Sequence, residues 1–304
     1  MMKHEITKQI NEWKQKKNAV ILAHYYVSEE VQALADYVGD SFYLAKVAKN
    51  TDARVLVFCG VSFMGESAKI LNPDKVVLMP DLTADCPMAH MATAEKIAEM
   101  RRTYEDLAVV CYINSTAELK CLSDVCVTSS NAVKIVRALP NRNIFFIPDH
   151  NLGRYVAEQV PEKNIILNDG CCPIHAAISA KQIEEGKRLH PRAQVLSHPE
   201  CDDSILSLSD YIGSTADIIA YAKQSTATEF IICTEDGVAF RLQQDNPDKR
   251  FYFPKTCPCC PDMKLNTPEK ILHVLMTEKN QVELDDGIRI AALKPLERML
   301  ELGR

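Results

Sequence analysis

Three kinds of landmark recur along this 304-residue chain at nearly constant intervals, and this internal repeat constrains the fold more than any single motif does. The landmarks are the residues that follow apolar segments, His24, Tyr112 and His198; the hydroxyl residues that open helical segments, Ser41, Ser129 and Thr215; and the cysteines that precede proline, Cys86, Cys172 and Cys260. Within each kind, successive members lie 86 or 88 residues apart. Because three landmark types share one register, we interpret the chain as a triplicated unit.

Short β-rich segments alternate with segments of helical periodicity throughout the repeat. The predicted strands are AVILAHYY, RVLVFCG, KVVLMP, LAVVCYIN, VCVTS, NIFFIPD, NIILN, AQVLSH, FIICT and RFYFP. Alternation of this kind predicts parallel sheets with helices on both faces. We therefore expect an α/β protein of three homologous α/β/α domains around a pseudo-threefold axis, at residues 1–87, 88–173 and 174–264. Residues 265–304 should pack back on the first domain.

Composition argues against several classes of partner. The formal charge of −6 is spread along the chain without a basic stripe, which argues against nucleic-acid binding. No apolar segment approaches the roughly 20 residues of a membrane span. The first segment, MMKHEITKQINEWKQKKN, reads as an amphipathic helix and lacks the apolar core of a signal peptide. We therefore expect a cytoplasmic protein without a membrane partner.

Twelve cysteines are many for a chain expected in a reducing compartment. There, cysteines are more often metal ligands, catalytic groups or small buried residues than members of disulfides. Cys59, Cys111, Cys126 and Cys233 lie inside apolar segments, and we predict that they are buried strand residues.

The Cys-Pro cysteines have a different context, because each follows a strand of its own unit. Ligands of open parallel sheets lie beyond the carboxyl ends of the strands, so one cysteine per unit could reach a common centre. Three thiolates suit a [4Fe–4S] cluster whose remaining iron is open to substrate. Zinc is an alternative because CPCC is compact, although the usual partner C-x-x-C pair is missing, and a site without metal also stays open. The register favours Cys172 over Cys171 and admits Cys257 nearly as well as Cys260.

Small hydroxyl residues precede one helical segment in each unit, at Ser41, at Ser129 and at the pair Ser214–Thr215. Ordinary N-capping explains such residues. A helix N-terminus also attracts anions through its free N–H groups. If three such ends face one cavity, the expected ligand is a small polyanion.

Ionisable side chains follow the first predicted strand of each unit. They are His24, Tyr26, Tyr112, His198 and Glu200. The histidines are structural residues or candidates for substrate binding or proton transfer. Glu200 adds a carboxylate to the loop of His198, and Tyr26 and Tyr112 add phenols, although tyrosines at strand ends are more often packing residues. The chain contains neither G-x-x-x-x-G-K-[ST] nor G-x-G-x-x-G, which argues against ATP or NAD bound through those loops.

The ordered motifs of this chain resemble those of the quinolinate synthase family over nearly its whole length. The motifs are ILAHYYV, DYVGDS, FCGVSFMGESAKILNP, MPDLTADCPMA, CYINSTAELK, TSSNAV, PDHNLGRYVA, GCCPIH, SHPEC, DYIGSTADI and CCPDMKLNT. The resemblance implies a transferase of NAD biosynthesis that condenses iminoaspartate with dihydroxyacetone phosphate to give quinolinate, phosphate and water. It also implies a [4Fe–4S] cluster with three cysteine ligands and one open iron. The implied functional partner is an enzyme that supplies iminoaspartate, either an L-aspartate oxidase or an aspartate dehydrogenase.

The resemblance assigns roles to individual residues. The implied cluster ligands are Cys86, Cys172 and Cys260, with Cys171, Cys257 and Cys259 as non-ligands. The implied substrate-binding residues are His24, Ser41, Tyr112, Asn114, Ser129, His198, Glu200 and Thr215, to which we add Ser214. The expected catalytic residues are Tyr26, Tyr112 and Glu200, with His198 orienting substrate. Alternative hypotheses are an iron–sulfur hydro-lyase for another small polyanion, a non-enzymatic iron–sulfur sensor, and a zinc-stabilised binding protein.

Overall fold

Twelve strands form three separate four-stranded sheets in the part of the chain that the computed structural model describes, residues 2–255 and 258–303. All strand pairs within these sheets are parallel. Helices connect the strands in each unit. The predicted α/β class with three parallel-sheet units is confirmed.

The helices and strands follow one another in the same way in each unit. The first unit contains α1 (Met2–Lys17), β1 (Ala19–His24), α2 (Glu29–Leu34), β2 (Tyr37–Gly39), α3 (Ser41–Asn50), β3 (Val55–Cys59), α4 (Ser62–Leu71), β4 (Val76–Leu78) and a 3₁₀ helix (Pro87–His90). The second contains α5 (Ala94–Thr103), β5 (Leu107–Tyr112), α6 (Ala117–Cys121), β6 (Val125–Val127), α7 (Ala132–Ala138), β7 (Asn143–Ile147), α8 (His150–Gln159), β8 (Asn164–Leu167) and α9 (Pro173–Ala176). The third contains α10 (Ala180–Leu189), β9 (Gln194–Ser197), α11 (Asp203–Leu206), β10 (Tyr211–Ile212), α12 (Thr215–Gln224), β11 (Glu229–Cys233), α13 (Val238–Asp245), β12 (Arg250–Tyr252) and α14 (Pro261–Lys264), and is followed by α15 (Pro268–Thr277) and α16 (Asp286–Leu302).

The three sheets share one strand order and one register. The orders are β2-β1-β3-β4, β6-β5-β7-β8 and β10-β9-β11-β12. The paired residues correspond as well: Leu22 pairs with Tyr37, Val110 with Val125, and Leu196 with Tyr211. These positions differ by the same 88 and 86 residues as the sequence landmarks, so the repeat extends to the pairing of individual residues.

Partly buried polar contacts repeat with the same spacing. The carboxylates of Asp36, Asp124 and Asp210 each accept a backbone N–H from the first strand of their unit, at 2.7–2.8 Å. The ammonium groups of Lys75, Lys163 and Lys249 each donate to main-chain carbonyls at the end of a helix of their unit. The sequence pattern did not single out these residues, but their spacing is independent support for the triplication.

The central strands are buried on both faces, because helices cover each sheet. Cys59, Cys111, Cys126 and Cys233 are fully buried in β3, β5, β6 and β11, which confirms their predicted place in strands. None of the described helices combines the length and the apolar character needed to cross a bilayer.

The C-terminal helices touch two units. Helix α15 packs against α1 and α2, and the main-chain N–H of Val282 donates to the carbonyl of Val77 in β4 at 2.8 Å. Helix α16 packs against α4 and also against α6, β6 and α7 of the second unit. The segment therefore contacts both the first unit and the second. The domain limits at residues 87, 173 and 264 stay a prediction.

Candidate active site

The loops after the first strand of every sheet line one cavity of about 300 Å³. Two positions in each unit face it, one at the end of the strand or directly after it, and one two residues further on. They are His24 and Tyr26 after β1, Tyr112 and Asn114 after β5, and His198 and Glu200 after β9. All are separated by 88 and 86 residues along the chain. The fold thus brings together, from three distant parts of the sequence, the post-strand residues that the repeat had aligned.

The three matched hydroxyl residues also line the cavity, although they are not the helix caps. Asp40 caps α3 by accepting a hydrogen bond from the Tyr43 amide, and Ser214 caps α12 by accepting one from the Asp217 amide. Ser41 and Thr215 therefore directly follow the caps, and Ser129 lies two residues before Asn131, the N-cap residue of α7, so capping does not explain the three hydroxyls. Ser214 exchanges hydrogen bonds with Asp217 and is absent from the cavity lining, so the structure gives it a capping role.

The Cys-Pro cysteines occupy equivalent positions at the same cavity. Cys86, Cys172 and Cys260 each immediately precede a one-turn helix that starts with proline, and each has extended backbone angles. All three line the cavity. The adjacent residues Cys171 and Cys259 do not line it, whereas Cys257 lies outside the described residues.

Burial controls the protonation of these thiols. It raises the pKa of Cys86 to about 12 and that of Cys260 to about 11, and it raises the pKa of Cys172 well above its usual value. Thiols in this cavity are therefore protonated until a cation displaces the protons. The three thiols are therefore suited to bind a metal group whose binding releases their protons.

Two histidines of the site are held as neutral hydrogen-bond donors. Nδ1 of His24 accepts a hydrogen bond from the Tyr26 amide at 3.2 Å, and Nδ1 of His198 accepts one from the Glu200 amide at 3.3 Å. Burial lowers the pKa of both rings to about 3, so each is neutral with its proton on Nε2. His198 Nε2 lies 3.2 Å from the hydroxyl of Ser129.

A buried hydrogen-bonded path connects Glu200 with Tyr26 through His175. His175 Nδ1 lies 2.8 Å from Glu200 Oε2 and 3.2 Å from Cys172 Sγ. Its Nε2 lies 3.0 Å from the hydroxyl of Thr234, which lies 2.8 Å from the Tyr26 hydroxyl. The Tyr26 hydroxyl also lies 2.7 Å from that of Thr215. The path links groups of all three units.

The two ends of this path differ in protonation. Burial alone would raise the pKa of Glu200, but its interactions with the neighbouring His175 and His198 outweigh burial and lower it to about 2. Burial and the charge of Glu200 raise the pKa of Tyr26 well above its usual value. Glu200 is therefore a carboxylate and Tyr26 a neutral phenol, which makes them a base and an acid across one cavity.

Two acceptor atoms at the cavity lack donors. Among the described residues, neither Glu200 Oε1 nor Asn114 Oδ1 makes a hydrogen bond of ordinary geometry, and both atoms are buried. Within the same part of the chain, no lysine or arginine lines the cavity. Buried polar atoms are rarely left unpaired, so these two acceptors indicate a ligand that brings N–H or O–H groups.

Comparison with known proteins agrees with this geometry. The family model described as quinolinate synthetase A protein matches residues 8–301. The chain belongs to the quinolinate synthetase A family. It is 53% identical to the quinolinate synthase of Fusobacterium nucleatum over 97% of this chain and 98% of that protein. It is 50% identical to the quinolinate synthase of Caldicellulosiruptor bescii, with 100% and 99% covered, and 48% identical to that of Clostridioides difficile, with 99% of both covered.

For this member of the quinolinate synthetase A family, sequence reasoning placed Tyr26 and all predicted binding residues except Ser214 at one cavity, but it missed His175. The side chain of His175 is only 1% exposed and stacks on His198 with ring centroids 4.8 Å apart. The sequence carried a signal, because a histidine three residues after a candidate ligand lies on the same side of a helical turn. Also missed were Asp149 and Glu235, which follow β7 and β11 in the repeat register.

Proposed function

We propose that this protein is a quinolinate synthase that condenses iminoaspartate with dihydroxyacetone phosphate. Carbon–carbon and carbon–nitrogen bonds close the pyridine ring, and phosphate and two molecules of water leave, which balances the atoms. The observation that carries the proposal is a cavity at which all three units contribute a cysteine together with neutral donors, and at which Glu200 lies among the lining carboxylates as the proposed base. The family match and the names of its relatives support it.

The residues present fit a [4Fe–4S] cluster with three protein ligands, Cys86, Cys172 and Cys260. Among the described residues, the three Sγ atoms do not form a group within 4.8 Å of one another. A single tetrahedral zinc ion with Zn–S bonds of about 2.3 Å would need sulfur atoms about 3.8 Å apart. The wider spacing suits a cluster, whose ligands bind different irons. When bound, such a cluster would supply a Lewis acid that polarises substrate oxygens.

Neutral donors account for the binding of the anionic substrates. His24 and His198 present Nε2–H groups, and Ser41, Ser129 and Thr215 present hydroxyls beside helix starts. The carboxylates of iminoaspartate and the phosphate of the triose are acceptors that these groups can bind. Conversely, Asn114 Oδ1 and Glu200 Oε1 accept hydrogen bonds from the imine N–H and the triose hydroxyl. Each of the two unpaired acceptor atoms thereby gains a hydrogen-bond donor from the substrates.

Glu200 and Tyr26 divide the proton transfers. The Glu200 carboxylate takes a proton from carbon when the enamine form and, later, the aromatic ring are produced. Tyr26 donates a proton to a departing oxygen and is reprotonated through the hydroxyl of Thr234 and the ring of His175. Tyr112, which contributes to the lowered pKa of Glu200, shields and orients the same carboxylate.

Iminoaspartate is an imine that water hydrolyses, so the proposed activity requires a source of fresh substrate. An L-aspartate oxidase or an aspartate dehydrogenase would supply it by oxidising aspartate. The expected cytoplasmic location would also keep the three thiols reduced before metal binding.

Anaerobic purification tests the proposal directly. We expect a brown protein with about four irons per chain that forms quinolinate from dihydroxyacetone phosphate and enzymatically generated iminoaspartate. A colourless protein with one tightly bound zinc would contradict the cluster. A protein that holds four irons but makes no quinolinate would favour a hydro-lyase for another polyanion, or a sensor.

Removing one hydroxyl at the cavity should weaken substrate binding without lowering stability. Ser41→Ala, Ser129→Ala and Thr215→Val should each raise KM roughly tenfold, because a hydrogen bond to a charged group contributes about 1.5–3 kcal/mol. Their thermal midpoints should stay near the wild-type value, since Asp40 and Ser214 provide the caps. Steady-state kinetics and thermal unfolding measure the two effects.

The matched control is Thr93→Ala, which removes the side-chain cap of α5 away from the cavity. It should lower stability by about 1 kcal/mol and leave KM unchanged. If the three cavity variants instead behave like this control, their hydroxyls are structural.

A further inference from the structure

Two buried carboxylates hold the main chain of two candidate ligand cysteines. Asp149 Oδ2 accepts a hydrogen bond from the amide of Cys172 at 3.2 Å, and Glu235 Oε1 accepts one from the amide of Cys260 at 3.0 Å. Asp149 is 0% exposed and Glu235 is 1% exposed. Carboxylates are rarely buried to this extent unless they are paired, and here the backbone amides are among their partners.

These carboxylates belong to the repeat. Asp149 and Glu235 each stand two residues after the third strand of their unit, and they are 86 residues apart. Each also accepts an amide hydrogen of its own loop, from Leu152 at 2.7 Å and from Gly237 at 2.7 Å. One carboxylate therefore ties the loop after the third strand to the loop that carries the cysteine.

The first unit also joins these two loops, but there the carboxylate stands next to the cysteine and the donor follows the third strand. Val61 stands at the corresponding position and cannot accept a hydrogen bond. Instead, the hydroxyl of Ser62, after the third strand, donates a hydrogen bond to the carboxylate of Asp85, the residue that precedes Cys86. A bond between the two loops has thus been kept in all three units, although its residues differ.

We propose that Asp149 and Glu235 are positioning residues of the metal site. Each fixes the backbone of one cysteine, so that the thiols of Cys172 and Cys260 are in position before the metal group binds and the thiolates stay in place afterwards. This inference rests on the proposed function, because it takes the two cysteines as cluster ligands. Residues that orient metal ligands typically change metal affinity by 10–100-fold when they are removed.

If Asp149 and Glu235 only stabilised the fold, their removal would change stability but not the binding of the metal group. Asp149 also caps α8, so its removal would lower the stability of the cluster-free protein whatever the cysteine does. Glu235 also forms an ion pair with Lys264 at 2.9 Å. The behaviour of the metal must therefore be measured separately from that of the fold.

The test uses full-length protein reconstituted anaerobically with iron and sulfide. The variants are Asp149→Ala, Asp149→Asn, Glu235→Ala and Glu235→Gln, and the control is Asp202→Ala, which removes the side-chain cap of α11. The measurements are iron per chain, the first-order rate of iron loss to an added chelator, the EPR spectrum of the reduced cluster, and the thermal midpoint of the cluster-free protein.

We expect both alanine variants to lose iron at least about tenfold faster than wild type, with an altered EPR spectrum. The amide variants should lose iron at rates between those of wild type and the alanine variants, because one side-chain oxygen can still accept the hydrogen bond from the cysteine amide. The control should lose iron at the wild-type rate. If an alanine variant does not fold, the amide variants provide the comparison. Wild-type rates and spectra in all folded variants would overturn the inference, whereas wild-type protein that binds no iron would contradict the proposed function itself.

Discussion

Replacing Cys172 with alanine should abolish cluster binding and quinolinate formation, whereas replacing Cys171 should preserve both. Cys172 lines the cavity and precedes the proline that starts α9. Cys171 points elsewhere, and its amide meets the Met91 sulfur at 3.4 Å outside the cavity lining. Side chains of adjacent extended residues point in opposite directions, so the two thiols cannot both reach one centre. With only two protein ligands left, the cluster should not be retained.

The third unit offers the matched pair Cys260 and Cys259. Cys260→Ala should behave like the Cys172 variant, and Cys259→Ala should behave like the Cys171 variant, because Cys259 is exposed and absent from the cavity lining. Iron and sulfide analysis together with activity, on anaerobically prepared protein, measures all four outcomes. Loss of the cluster in the Cys171 variant with retention in the Cys172 variant would show that the assigned ligand is wrong.

Glu200→Gln should lower turnover roughly 10²-fold or more while the iron content stays at the wild-type level. A general base or acid typically contributes about 10²–10⁴-fold, and glutamine keeps the shape of the side chain but cannot take a proton. Tyr26→Phe should have a comparable effect, because it removes the acid at the other end of the path through His175. Rapid-quench or steady-state kcat, measured with iron content, reports both changes.

Tyr25→Phe is the control for the tyrosine variant. Tyr25 is the neighbour of Tyr26 but does not line the cavity, so the loss of its hydroxyl should leave kcat near the wild-type value. Equal losses in the Tyr25 and Tyr26 variants would point to a disturbed loop rather than to proton transfer. Wild-type turnover in the Glu200 variant would remove that carboxylate from the chemistry.

The strand pattern was read correctly wherever a strand had an apolar run. The ten predicted segments overlap ten of the twelve described strands, all except β2 and β10. The two strands that were not predicted, β2 and β10, have three residues and two residues and lie at the edges of their sheets. Such strands bury little apolar surface, so local composition carries almost no signal for them.

Sequence alone determined the triplicated α/β architecture and the positions that could meet, because a duplicated unit preserves the interval between equivalent residues. It therefore aligned His24, Tyr112 and His198, and it separated Cys172 from Cys171. Only the tertiary structure decided which side chains touch. His175 reaches Glu200 of another loop at 2.8 Å and Thr234 at 3.0 Å. Contacts of this kind depend on how three sheets pack around one cavity, a property of the whole chain that no local spacing encodes.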